Sequence, residues 1–139
     1  MKTLLFRIWQ WTWGFPQSLI GFIICLLHKD APHREYHGCV VTQWKQSGSM
    51  SLGMFLFLSE RSYESDPQVQ VHEFGHAVQS AIFGPLFLPV MGLPSFLWCN
   101  LKPCRKLRRE KGVSYCRLYT ESTANYLGSL VTKEPCNLK

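Results

Sequence analysis

A chain of 139 residues provides one hydrophobic core and leaves no room for a separate substrate domain. Hydrophobic residues make up 46% of it and charged residues only 17%, which excludes intrinsic disorder and indicates a membrane-facing surface as well as a core. The formal net charge of +6 arises after residue 100, where nine Lys and Arg accompany three Asp and Glu, since six of each precede it.

The N-terminal residues 1–27 are predicted to form a membrane-associated segment. Tryptophan recurs at every second position over residues 9–13, and indole rings are typical of the headgroup level of a bilayer. Arg7 interrupts the apolar run, so a cleaved signal peptide fits poorly. We predict an interfacial first half, a break near residues 14–16, and an inserted helix over residues 17–27. The alternative is a buried helix in an ordinary soluble core.

The remaining residues 28–139 are predicted to form a single metal-binding domain, which begins with a polar connector over residues 28–35. Residues 36–44 and 50–58 are rich in β-forming side chains, and the turn-forming segment 45–49 lies between them. The pattern predicts a β-hairpin whose second strand is buried on both faces. An edge of this hairpin has the groups to pair with an extended peptide; a purely structural hairpin is the alternative.

A His-Glu-x-x-His motif begins at His72. On a helix, His72 and His76 lie on one face, one turn apart, so both imidazoles can reach one ion. Glu73 lies beside them, placed to act as the base for a water on that ion, and zinc hydrolysis needs this combination. We predict a helix over residues 67–83. Gly75 inside it indicates close approach by another backbone or by a substrate.

Residues 81–98 contain no charged side chain, and an uncharged run of this length is close to that which spans a bilayer. Glycine and proline interrupt this run five times, and a full crossing would carry the following segment to the side opposite the histidines. We therefore predict a re-entrant or interfacial hairpin, after which the basic cluster of residues 102–111 returns to the metal side. By the positive-inside rule, the active site then faces the cytoplasm.

The basic cluster favours anionic lipid headgroups as its partner. No nucleic-acid-binding fingerprint accompanies the charge, so nucleic acid is not a predicted partner. The alternative is a solvated loop.

A third ligand is predicted in the segment Tyr119–Tyr126. Glu121 and Asn125 are four residues apart and share a helix face, so Glu121 can bind the metal while Asn125 hydrogen-bonds a ligand histidine. The helix is predicted to run from Glu121 to about Leu127, with Gly128 as its C-cap. The alternative role for Glu121 is a helix N-terminal carboxylate favoured by the helix dipole.

Together these motifs resemble those of the zincin metallopeptidases, and specifically of the gluzincins, in which a glutamate on a later helix completes the site. Over residues 36–130 the chain is also similar to small bacterial membrane-associated proteins with a His-Glu-(Tyr/Phe)-Gly-His core. The resemblance implies a Zn²⁺ ion bound by His72, His76 and Glu121. It also implies Glu73 as the catalytic residue and Asn125 as the residue that orients a ligand, although aspartate is commoner at that position.

The predicted fold is therefore α+β, with a small zincin-like core made of the metal helix, the β-hairpin and the second ligand helix. The membrane-associated N-terminal helix and the Pro- and Gly-broken apolar hairpin complete it. The predicted function is a zinc-dependent metallopeptidase at a membrane, whose partners are the lipid bilayer, a peptide or protein substrate, and a second protein that helps to form the substrate cleft. Two alternatives are a non-catalytic metal-stabilised membrane protein and a membrane-anchored interaction module without metal.

Overall fold

Residues 2–136 and 138, which the computed structural model describes, form seven α-helices and a four-stranded mixed sheet. This confirms the predicted α+β class. The helices are α1 (Lys2–Thr12), α2 (Phe15–Leu27), α3 (Glu60–Ser65), α4 (Pro67–Phe83), α5 (Leu93–Asn100), α6 (Lys102–Lys111) and α7 (Tyr119–Thr132). The strands are β1 (His33–Tyr36), β2 (Cys39–Trp44), β3 (Met50–Leu52) and β4 (Phe55–Ser59).

The sheet has the strand order β1–β2–β4–β3, with β2 and β4 parallel and the two outer pairs antiparallel. The predicted hairpin is therefore wrong, because its two strands are parallel neighbours, with Val40 opposite Phe55. After β2 the chain crosses to the far edge, forms β3, and turns at Gly53 into β4, which lies between β2 and β3. Gly53 has a φ of +61°, and a β-carbon there would lie 2.2 Å from the Ser18 hydroxyl, so this turn requires glycine.

The strands differ in burial according to their place in the sheet. All of β4 is buried, as predicted for the second strand of the supposed hairpin. The first three residues of β1 fall in the predicted polar connector and are exposed, whereas Tyr36 was part of the predicted hairpin. β1 lies at the sheet edge, where charged side chains are tolerated, so its sequence carries no strand pattern. A two-residue turn at His37 and Gly38, with φ of 47° and 90°, joins β1 to β2.

The N-terminal helices pack on α4 through buried amide side chains. The predicted break is confirmed, since α1 and α2 are separate helices. Gln10 donates a hydrogen bond to the Ala77 carbonyl at 2.8 Å. Gln17 donates to the Ser80 hydroxyl and to the Gly84 carbonyl, both at 2.8 Å. Gln10 and Gln17, which interrupt the apolar sequence of these helices, therefore face inward.

The outward side of α1 and α2 is apolar. Its exposed large side chains are Leu4, Leu5, Ile8, Trp9, Phe15, Leu19, Ile20, Phe22, Ile23, Leu26 and Leu27. The indole N–H groups of Trp9 and Trp13 donate to carbonyls at the end of α4, at 2.6 and 3.3 Å. Within the described residues, none of the helices combines the length and the apolar character needed to cross a bilayer.

Helix α4 has the predicted bounds and lies between the sheet and α7. On the sheet side, Phe74 packs into the hydrophobic core. On the other side, glycines let the two helices cross closely. A β-carbon on Gly75 would lie 1.8 Å from the Ala124 carbonyl oxygen, and one on Gly128 would lie 2.2 Å from that of Val71. The prediction that Gly75 marks a close backbone approach is therefore confirmed.

The predicted end of the second ligand helix is wrong. Gly128 lies inside α7, which continues to Thr132 and ends where Lys133 adopts a left-handed conformation with a φ of 61°. The glycine serves the contact with α4 instead of capping the helix. Because a C-cap and a close helix contact both favour glycine, the sequence alone does not separate them.

Between α4 and α7 the chain folds back towards α4. Glycine and proline break the apolar run into a 3₁₀ turn at Gly84–Leu86, a π turn at Leu88–Gly92, and α5. The Tyr119 hydroxyl donates to the Val90 carbonyl at 2.7 Å, which fastens this segment to the start of α7. The basic cluster forms the helix α6, not a loop.

Candidate metal centre

Three predicted ligands meet between α4 and α7. His72 and His76 lie one turn apart on α4, and Glu121 lies in the first turn of α7. Glu121 Oε2 is 2.8 Å from His72 Nε2 and 3.2 Å from His76 Nε2. The three ligand atoms lie within 4.8 Å of one another, and their side chains are buried. This cluster can hold a metal ion.

The donor set of the cluster is compatible with several first-row metal ions, zinc among them. Two imidazole nitrogens and one carboxylate oxygen form a common ligand set of catalytic zinc. Tetrahedral bonds of about 2.0–2.1 Å place ligand atoms about 3.4 Å apart. The separations of 2.8 and 3.2 Å are slightly shorter, so a small expansion of the cluster admits the ion. Three protein ligands also leave a fourth coordination position for water or substrate.

Two amide side chains orient the histidines. His72 Nδ1 donates to Asn125 Oδ1 at 2.5 Å, and His76 Nδ1 donates to Gln79 Oε1 at 2.7 Å. The NH₂ group of each amide donates to a backbone carbonyl, so the amide oxygen faces the imidazole. This network places a proton on Nδ1 of each ring and turns Nε2 towards the cluster, the arrangement that a metal-ligating histidine needs.

Of these two orienting residues, the sequence predicted only Asn125. Gln79 lies three residues after His76, on the same face of α4, and its side chain is fully buried. The spacing was a usable signal, because residues three apart on a helix are neighbours. It was weak alone, since a glutamine in that place is equally compatible with an exposed helix face.

The buried carboxylate of Glu121 needs positive charge beside it. Burial raises its pKa, but the hydrogen bonds from His72 and His76 outweigh burial and hold that pKa well below its usual range. For His72, burial disfavours the imidazolium, yet hydrogen bonds to Cys136 and Glu121 and the nearby carboxylates raise its pKa to about 11. A divalent cation would supply the same positive charge in place of these protons.

Glu73 follows His72 on α4, and its carboxyl interacts electrostatically with His76, His72 and Glu121. It is only 5% exposed, and it accepts no hydrogen bond from residues 2–136 or 138. Burial raises the pKa of its carboxyl, although the charges of His76 and His72 oppose this. Among the described residues, the fully buried side-chain polar atoms without a partner are Gln17 Oε1 and Ser51 Oγ, so the Glu73 oxygens retain some contact with solvent. Such a group is suited to exchange a proton with water or a substrate.

A tyrosine reaches the cluster from residues 93–118, a segment called the cap below. The Tyr115 hydroxyl donates to Glu121 Oε1 at 3.5 Å. Burial, followed by the charge of Glu121, raises the pKa of this phenol, so it stays protonated and able to donate. Trp98 Nε1 donates to the Tyr115 carbonyl at 2.8 Å. The sequence did not predict this residue, because no motif marks it.

Replacing Gln79 by leucine is expected to lower zinc affinity about 10- to 100-fold, because His76 loses the acceptor that orients its ring. Equilibrium dialysis in a zinc buffer measures the change. Gln10→Leu is the matched control, since Gln10 is equally buried and bonds to the α4 backbone but to none of the ligands. Wild-type affinity in Gln79→Leu would contradict the orienting role.

Comparisons with known proteins identify no relative of this chain. No protein-family model matches the chain, and neither a characterised protein nor a solved structure is significantly similar to it. The resemblance to zincins therefore depends on the motif residues and on the cluster that they form.

Proposed function

We propose that this protein is a zinc-dependent peptidase of the zincin type that works at a membrane surface. One observation carries the proposal: a buried His–His–Glu cluster lies next to a buried carboxylate, Glu73, that has no hydrogen-bond partner in the described chain. A structural metal site needs the cluster alone. Hydrolysis also needs a base beside it, and Glu73 is placed to be that base.

Peptide hydrolysis assigns a proton-transfer role to Glu73. When bound, zinc would supply Lewis acidity, which polarises a carbonyl and makes water nucleophilic near neutral pH. Glu73 accepts a proton from the attacking water as the new C–O bond forms. It gives this proton to the amine nitrogen as the C–N bond breaks, so the products are a carboxylic acid and an amine and Glu73 returns to its starting state.

The other side chains hold the reacting groups in place. Asn125 and Gln79 keep the imidazoles oriented through Nδ1. The protonated Tyr115 hydroxyl is available to donate a hydrogen bond to the carbonyl oxygen that becomes negative during attack. Neither Tyr119 nor Tyr126 is placed for that role, since Tyr119 bonds to the Val90 carbonyl and Tyr126 is 64% exposed.

The surface of α1 and α2 supports the membrane part of the proposal. The outward side of both helices exposes apolar side chains, whereas their inward glutamines bond to α4. An apolar surface that extends over two helices is typical of contact with lipid or a partner protein. The apolar outer face therefore suits helices that lie at a membrane surface.

Burial favours a second candidate function, a non-catalytic protein that a metal ion stabilises. The side chains of His72, His76 and Glu121 are exposed by only 6%, 9% and 1%, and structural metal sites are closed to solvent. In this role the ion would join α4 to α7, and no peptide would be cleaved.

Metal removal distinguishes the two candidates. The purified protein is incubated with a pool of peptides, and the products are identified by mass spectrometry before chelation, after chelation, and after zinc is restored. The proposal expects cleavage that disappears with the zinc and returns with it. Stoichiometric zinc without cleavage, together with unfolding on chelation, would contradict the proposal and favour the stabilising role.

A further inference from the structure

One face of α6 concentrates positive charge. Four exposed cations fall within about 100° of arc, at 100° per residue around the helix axis. They line one shallow surface groove, and they are Lys102, Arg105, Lys106 and Arg109. Over the described residues, one carboxylate lies within 4.0 Å of any of them, that of Glu110 beside Lys106. These four residues are called the basic face below.

The basic face is unfavourable for the helix that carries it. Like charges three and four residues apart on a helix repel each other, and all four cations have such neighbours. Lys102 also stands in the first turn of α6, where the helix dipole disfavours a cation. Because a single carboxylate accompanies four cations, this face carries excess positive charge that an anionic partner can neutralise.

The preceding helix presents apolar side chains to solvent. Leu93, Phe96 and Leu97 follow the three- and four-residue spacing of one side of α5 and are 53%, 61% and 37% exposed. Leu101, between the two helices, is 44% exposed. Apolar and cationic helices in succession match the two layers of a bilayer interface, where acyl chains accept the former and anionic headgroups the latter. A nucleic acid would neutralise the cations but leave the apolar side chains in water.

The inner side of α6 connects this surface to the metal centre. Arg108 points away from the basic face and donates to the Trp98 carbonyl. Its guanidinium lies 5.1 Å from the centroid of the Trp98 ring and 5.2 Å from that of the Tyr115 ring. Tyr115 in turn reaches Glu121. The basic face and Tyr115, which contacts the cluster, therefore belong to the same segment, the cap.

We propose that the cap docks on an anionic lipid bilayer, with the apolar side chains of α5 entering the interface and the basic face of α6 binding the headgroups. Docking in this way places the bilayer against the segment that carries Tyr115. The substrates would then be polypeptide segments at a bilayer surface, a consequence that rests on the proposed peptidase function. The docking itself is independent of that function.

Co-sedimentation with vesicles tests the docking. The full-length protein is mixed with vesicles of phosphatidylcholine alone or of phosphatidylcholine with phosphatidylserine. We expect binding only with phosphatidylserine, and weaker binding as salt rises. The double variant Arg105→Gln/Arg109→Gln should lower the partition coefficient about 30-fold, because each cation at such a surface contributes about fivefold. Neither arginine makes a side-chain bond within the described chain, so folding should be preserved.

The matched control is Lys45→Gln/Arg61→Gln, which changes the net charge equally at two exposed positions outside the cap. Wild-type binding in this control supports a specific basic face. An equal loss in both double variants, unchanged binding in Arg105→Gln/Arg109→Gln, or equal binding to phosphatidylcholine alone would overturn the proposal. The proposal would also be overturned if duplex DNA displaced the protein from vesicles and bound the Arg105→Gln/Arg109→Gln variant more weakly than the wild-type protein. Glu73→Gln should bind vesicles normally, so failed docking and failed hydrolysis are observed separately.

Discussion

Replacing Glu73 by glutamine is expected to lower peptide cleavage by about 10²- to 10⁴-fold while zinc stays bound. Glutamine has nearly the same size and cannot accept the proton of the attacking water. Glu73 accepts no hydrogen bond from the described residues, so the change removes no contact that holds the fold together. The rate is measured on a peptide that the wild-type protein cleaves, and zinc is measured in the same samples.

A control at another glutamate makes the comparison specific. Glu64→Gln changes an exposed carboxylate on α3 that is not part of the cluster, and should leave both cleavage and zinc content unchanged. Wild-type cleavage by Glu73→Gln would show that this residue is not the base. Loss of zinc along with activity would place Glu73 among the groups that hold the metal.

Replacing Gly75 by alanine is expected to destabilise the protein by about 3 kcal/mol or more, because the added β-carbon overlaps the α7 backbone. It would lie 1.8 Å from the Ala124 carbonyl oxygen, which is backbone and has little freedom to move. At an unobstructed helix position the same change stabilises by about 1 kcal/mol, so the sign itself is diagnostic. Denaturant unfolding measures the difference. Zinc affinity should fall as well, since a displaced α7 carries Glu121 away from the histidines.

Gly48→Ala is the matched control for this substitution. A β-carbon at Gly48 meets nothing within 4 Å, so alanine should leave stability nearly unchanged there. If Gly75→Ala were as stable as wild type and bound zinc normally, the close crossing of α4 and α7 would not be what brings the ligands together.

Most residues of the candidate centre could be predicted because the spacing along a helix governs their placement. His72, Glu73 and His76 depend only on helical spacing, and Glu121 and Asn125 depend on the same spacing in a second helix. Gly75 added the expectation of a close backbone contact. Tyr115 could not be predicted in this way, because it reaches the cluster through the path of the cap, which no local pattern specifies.

The sheet shows the same division between local and long-range information. β2 and β4 were predicted as strands from their composition, and both exist. Their pairing was wrong because the three-residue β3 is too short to show an alternating pattern, so the crossing of the chain was not visible. The break between α1 and α2 was predicted, and so was a helix over residues 17–27. The amide contacts of these two helices with α4 could not be, since a glutamine in an apolar run has no assigned partner in the sequence.

X-ray absorption at the zinc edge of the purified protein tests the central claim most directly. We predict one zinc ion with two imidazole nitrogens and oxygen ligands at about 2.0–2.1 Å, and the loss of one imidazole in His76→Ala. Sulfur ligands at about 2.3 Å would place the ion at cysteines instead of between α4 and α7, and would contradict the account.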